Sequence, residues 1–150
     1  MVDLLVRPEV AALVPAALRR SLAARLREAM RLLARSRSRV TLLLTGDEEI
    51  RALNRRFRQL DRATDVLSFH QQELAGETDP AGDGVFLGDI AISAETAQRR
   101  AGGQRLAGEL SRIAMHGLCH LFGHDHQRPA EARAMRRLEN RLLRQTRPRQ

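Results

Sequence analysis

The chain has 150 residues, 43% of them hydrophobic, with 4 Phe and no Trp or Tyr. That length suits one domain able to bury about 70% of its unfolded surface, and the composition dictates an aliphatic core while weighing against an aromatic platform for stacking bases. All 26 basic residues are arginine against 18 acids, a net charge of +8 that points to an anionic partner such as nucleic acid, and a single cysteine excludes an internal disulfide framework.

Residues 2–6, apolar and partly β-branched, read as a first strand that Pro8 ends. Over 15–35, Leu18, Leu22, Leu26, Met30 and Leu33 recur at helical spacing with arginines between them, which predicts a long amphipathic helix. Its arginines read as the wet face. Val40, Leu42 and Leu44 alternate in a second strand over 39–44, and Thr45-Gly46-Asp47 turns the chain into a second helix. There Asp47, Glu48 and Glu49 suit the positive end of the helix dipole. A third strand covers 64–69. Residues 70–84 are polar and carry Gly76, Pro80, Gly82 and Gly84, so a loop is expected. The fourth strand, 86–93, is apolar except for Asp89, and Ser93 can cap a helix over 94–101 that Gly102-Gly103 breaks. The next helix, 105–121, places Leu106, Leu110, Ile113, Ala114, Gly117 and Leu121 on one arc, with His116 and His120 at its margin. A last helix over 130–144 has Met135, Leu138, Leu142 and Leu143 on its apolar face. This order predicts an α/β (α+β) single domain over 1–150, a small mixed four-stranded sheet with about five packed helices. The apolar stretches are too short to span a bilayer and no signal peptide is evident, so a soluble, cytoplasmic chain is expected.

Four of the 5 histidines fall between His116 and His126. His116 and His120 are four apart, about 40° around a helix axis and one turn along it, so both imidazoles can reach one point. Gly123 permits the backbone to reverse and His126 follows on the returning chain. Three neutral imidazoles with an open fourth position are the ligand set of a catalytic zinc, one per chain, at the end of the penultimate helix. A structural site would want four ligands, and Cys119 points off the His116/His120 face. His124 is read as a nearby polar or substrate-contacting group. Asp125 either orients an imidazole or caps the turn, and His70 stands outside the cluster. The same histidine spacing occurs in metzincin peptidases, but those carry Glu directly after the first histidine as general base. Here that position is Gly117.

The segment His-Gly-Leu-Cys-His-Leu-Phe-Gly-His-Asp-His resembles the signature of the YbeY family of bacterial rRNA maturation factors, with His124 in place of a usual Tyr. Leu53-Asn54 with Phe57-Arg58, the run from Thr64 to Phe69, and Leu87-Gly88-Asp89-Ile90 also resemble family segments. After Phe69 the family often continues with Pro, where this chain has His70-Gln71-Gln72. The resemblance runs from about Leu42 to the last helix and implies a small sheet with helices packed around it and a metal in a cleft. It carries a functional role onto Arg58, whose guanidinium could hold a phosphodiester. It further implies a single-strand endoribonuclease acting on rRNA, including 16S 3′-end maturation and ribosome quality control, with the ribosome or its small subunit as partner. Charge and histidines alone support only a metallohydrolase that prefers an anion. A metallopeptidase-like hydrolase and a non-catalytic, zinc-stabilised ribosome-binding factor stay open as alternatives. The roles of Asp89, His124 and Asp125, the general base and the oligomeric state are not assigned by the sequence.

Overall fold

The computed structural model describes residues 1–70, 84–123 and 127–148. Strands β1 (Val2–Val6), β2 (Arg39–Thr45), β3 (Val66–His70) and β4 (Phe86–Ser93) form one sheet in the order β1-β2-β4-β3. β1, β2 and β4 are parallel neighbours, whereas β3 runs antiparallel to β4, pairing Val66 with Ile92 and His70 with Gly88. The sheet is therefore mixed, with β1 and β3 at its edges.

Five α-helices lie among the described residues: α1 (Ala16–Leu32), α2 (Asp47–Arg58), α3 (Ala94–Ala101), α4 (Leu106–Leu121) and α5 (Pro129–Gln145). A 3-10 helix, Pro8–Leu13, fills the step from β1 to α1. The sequence marked Pro8 only as the end of a strand. In the structure it opens that turn, since a helix start has no use for the N–H that proline lacks, and Val10 and Val14 are fully buried beside it. Most of the loop expected over 70–84, residues 71–83, lies outside the described residues. No helix among the described residues is long and apolar enough to cross a membrane.

The two faces of the sheet are unequal. Side chains alternate across a strand, so Val40, Leu42 and Leu44 of β2 and Ile90 and Ile92 of β4 point to one face, where they join Leu22, Leu26 and Met30 of α1 and Leu110, Ile113 and Leu118 of α4 in the main core. On the other face, among the described residues, α2 packs, with Ile50 buried against Leu67 and Ala91 and flanked by Leu43, Leu53 and Phe69.

α4 is the middle of the molecule, in contact with β3, β4, α1, α3 and α5. The sequence led us to expect one buried arc. Instead Met115, Leu118 and Cys119 are fully buried as well, because α1 and α5 cover the flanks that a lone amphipathic helix would leave wet. A fully buried Leu, Ile or Met contributes about 1.5–3 kcal/mol relative to exposure, so α4 is anchored nearly all round. Its open side is the stripe of Gly108, Arg112, His116 and His120, the first two exposed and the histidines half-buried.

The start of α2 is fastened to α3. Ser93 accepts the backbone N–H of Thr96 at 3.1 Å, the cap its position predicted, and its hydroxyl also donates to Asp47 Oδ1 at 2.5 Å. Asp47 further accepts from Thr96 Oγ1 at 2.6 Å and from Arg99 at 2.7 Å. The Asp47 backbone N–H in turn donates to Glu95 Oε1 at 2.7 Å. Burial alone would raise the pKa of Asp47, but the hydrogen bonds from Ser93, Thr96 and Arg99 outweigh it and hold the carboxyl below its ordinary value.

Candidate metal centre

His116 and His120 occupy the last two turns of α4, and their rings converge. The two Nε2 atoms are 3.2 Å apart, and the rings meet edge to face with centroids 4.7 Å apart. Two nitrogen ligands of one tetrahedral zinc, each about 2.0–2.1 Å from the ion, lie about 3.3 Å from one another. The pair thus already has the separation that a shared metal requires, and imidazole suits a divalent ion such as zinc. The third ligand expected from the sequence, His126, lies outside the described residues, as do His124 and Asp125. Gly123 just before them takes φ +85°, and its N–H donates to His120 O at 3.0 Å. The chain leaves the helix there as a glycine in that left-handed conformation allows. Among the described residues no group of three or more His, Cys, Asp or Glu side chains is arranged to hold a metal ion. His70, at the end of β3, does not complete the pair.

His116 is braced from behind. Its ring Nδ1 lies 2.6 Å from Glu139 Oε1 of α5, with the two side chains 29% and 15% exposed. A carboxylate only accepts, so the imidazole N–H sits on Nδ1, and in the neutral ring Nε2 keeps its lone pair. Glu139 had escaped the sequence reading. The signal available was its position, four residues after Met135 and three before Leu142, which puts an acid beside the apolar arc of an otherwise arginine-rich helix.

The glycine in the peptidase base position has a packing cause. A Cβ on Gly117 would lie 2.8 Å from Ile90 Cγ2 and 3.2 Å from Ser68 Oγ. Position 117 faces the sheet at closest approach, with no room for a side chain. The Ser68 hydroxyl donates to Gly117 O at 3.2 Å, a structural role in agreement with its place on a strand. Ser68 also joins this helix to Arg58, whose Nη2 donates to Ser68 O at 2.7 Å and whose guanidinium lies 5.2 Å from the centroid of the Phe69 ring. Arg58 ends α2, so helix, edge strand and histidine helix are linked in series through one serine.

Asp89 belongs elsewhere. Ile90 points toward α4, so the neighbouring Asp89 points to the opposite face, where it lines a cleft of about 250 Å³ with Leu5, Thr41, Leu43, Phe57 and Phe69. Burial pushes its carboxyl above the ordinary value, against a hydrogen bond with Thr41. It is a strand hydrogen-bonding group and not a partner of the histidines. Cys119 is no ligand either, because it is fully buried, and desolvation, helped by the charge of Glu139, pushes its thiol up to about 12. Asp65 forms an ion pair with Arg100 at 2.5 Å.

The sequence model of the family described as endoribonuclease YbeY matches residues 11–147. The chain belongs to the YbeY family. The match begins well before Leu42, where the recognisable motifs start, and takes in α1. Curated relatives named endoribonuclease YbeY include one from Anaeromyxobacter sp. (strain Fw109-5), 51% identical over 75% of this chain and 56% of its own length. Another, from Anaeromyxobacter dehalogenans (strain 2CP-C), is 47% identical over 83% of this chain and 63% of its own length. The matched part of the chain thus spans little more than half of these two YbeY relatives. A YbeY protein of Thermus thermophilus is 44% identical over 84% of this chain and 86% of its own length. The solution structure of a Thermotoga maritima protein aligns over 97% of this chain and 89% of its own, with a TM-score of 0.65 at 23% identity. That likeness supports the fold.

Proposed function

We propose that the chain, as one domain over 1–150, is a zinc-dependent single-strand endoribonuclease of the cytoplasm. It would act in rRNA maturation, including the 16S 3′ end, and in ribosome quality control, with the ribosome or its small subunit as partner. The observation that carries the metal part is the 3.2 Å separation of His116 Nε2 and His120 Nε2. The RNA part rests on membership of the YbeY family and on the names of its curated relatives, with the net charge of +8 in agreement.

In this reading His116, His120 and His126 hold one metal ion per chain. Zinc bound there supplies Lewis acidity and lowers the pKa of water to about 7. The protein supplies position: α4, anchored on every side but one, fixes the two imidazoles to the precision that a reactive site needs. Arg58, set by Ser68 and Phe69, presents a planar guanidinium whose fork fits the oxygens of a phosphodiester. A peptidase mechanism is disfavoured by the packing at Gly117, where a glutamate base has no space.

The test is cleavage of a single-stranded rRNA fragment by zinc-loaded protein, with His120→Ala and Arg58→Ala purified identically and checked for folding. The nuclease reading requires that wild type cuts and that both folded variants lose cutting. Equal cutting by wild type and variants marks a contaminant, and the non-catalytic ribosome-binding factor becomes the better account.

A further inference from the structure

We propose that Glu139 is a positioning residue, whose carboxylate holds the His116 ring in the orientation and Nδ1–H tautomer that aim Nε2 at the point His120 Nε2 also faces. The inference rests on the metal-site reading above and adds to it a residue on another helix.

Several observations converge. Glu139 sits on α5 among five arginines of the same helix, Arg133, Arg136, Arg137, Arg141 and Arg144, of which Arg136, three residues before it, would make an ordinary surface partner. Its carboxylate instead turns inward, 15% exposed, to the His116 Nδ1 at 2.6 Å. A partly buried carboxylate loses solvation, which one short charge-assisted hydrogen bond offsets. The geometry then has a chemical result. A neutral imidazole carries one N–H, and an ionised acceptor on Nδ1 requires it there, leaving the Nε2 lone pair for a metal. Without the carboxylate the neutral ring is released to the Nε2–H form, which cannot ligate through Nε2, and its torsion is no longer fixed. The 3.2 Å approach of the two Nε2 atoms, the feature on which the metal site depends, is therefore set in part from α5.

The experiment compares wild type with Glu139→Ala, Glu139→Gln and Leu142→Ala, all metal-free and checked for folding. Leu142 is fully buried on the same helix, so its truncation loosens α5 without touching His116. Two quantities are read: zinc affinity, by competition with a chromogenic chelator, and the His116 tautomer, by the ring-nitrogen chemical shifts of nitrogen-15-labelled apoprotein at one fixed pH. The proposal expects Glu139→Ala to lose about 10–100-fold in zinc affinity and to move the His116 proton from Nδ1 to Nε2. Glu139→Gln, which keeps an oxygen acceptor, should retain the tautomer and lose less. Leu142→Ala should lower thermal stability while keeping tautomer and affinity. If wild type binds zinc and Glu139→Ala keeps its affinity within twofold, or keeps the Nδ1–H form, Glu139 has no positioning role. The same conclusion follows if Leu142→Ala reproduces the alanine variant's loss. If wild type takes up no zinc at all, the metal reading itself falls, and the proposal with it.

Discussion

The contact between α4 and the sheet at Gly117 can be tested by filling it. In Gly117→Ala the new Cβ meets Ile90 Cγ2 at 2.8 Å and Ser68 Oγ at 3.2 Å. Ile90 is fully buried, and its Cγ2 is tied to a β-branched side chain on a strand, so it cannot swing aside. Overpacking of this kind costs about 1–3 kcal/mol. Replacing a mid-helix glycine by alanine returns about 1 kcal/mol, which leaves a net loss of about 0–2 kcal/mol. At about 2–4 °C per kcal/mol for a chain of this size, the melting temperature should fall by no more than about 8 °C. Gly117→Glu, which would complete the peptidase motif, forces a longer chain and a carboxylate without a partner into the same gap. Its cost should exceed about 4 kcal/mol, the range reserved for burying an unpaired charge together with overpacking. The measurements are urea unfolding followed by far-UV circular dichroism for both variants, and a cycle of Gly117→Ala with Ile90→Ala. Because Ile90→Ala deletes the Cγ2 atom nearest the new Cβ, the double variant should be more stable than additivity predicts by about 0.5–2 kcal/mol. A Gly117→Glu protein as stable as wild type, or strict additivity in the cycle, would show that position 117 does not face the sheet.

Asp47→Ala takes the acceptor from the buried hydroxyls of Ser93 and Thr96 and should lower stability at pH 7 by about 1–3 kcal/mol. Since the folded-state pKa of Asp47 is lowered, this stability is present above the unfolded carboxyl pKa and lost as pH falls through the folded one. Acid titration of unfolding should therefore bring wild type and variant together, and a constant gap throughout the acid range would contradict the assignment. Asp89 has the opposite sign: its raised pKa means that its contribution is most favourable below the unfolded pKa and declines as pH rises through the folded value. Asp89→Asn should melt higher than wild type at pH 7, with the advantage disappearing in acid, and an advantage independent of pH would assign it to something other than charge. For the RNA reading, affinity for a single-stranded fragment, measured by fluorescence anisotropy, should fall linearly with log salt. The slope should be about −0.7 for each phosphate neutralised, and a salt-independent affinity would remove the electrostatic argument.

Much of this architecture was written in local pattern. The alternation of Val40, Leu42 and Leu44 placed β2, Ser93 announced its helix cap, and the four-residue step from His116 to His120 gave the converging rings. What could not be read is non-local. Nothing in the sequence says that β4 lies between β2 and β3, nor that α4 is enclosed by α1 and α5 until even Met115 and Cys119 are dry. Glu139 is separated from His116 by 23 residues and looked like any acid on a charged helix, because only the docking of α5 turns it inward. The absence of the peptidase glutamate was visible, but its cause was not, because that cause is Ile90, a residue on another element.

Arg58 also stands at an exposed seam. In the antiparallel pairing of β3 with β4, the Asp65 carbonyl accepts from Ser93 N–H at 2.9 Å, so residues at odd positions along β3 turn their backbone groups toward β4 and Ser68 turns its carbonyl outward. That carbonyl belongs to an edge strand, where unpaired backbone invites the strand of another molecule. The guanidinium of Arg58 occupies it. The same side chain that would hold a phosphodiester therefore also covers a carbonyl on an edge strand of the described sheet. An Arg58→Ala preparation should be run in sedimentation velocity beside wild type before any loss of cutting is attributed to chemistry.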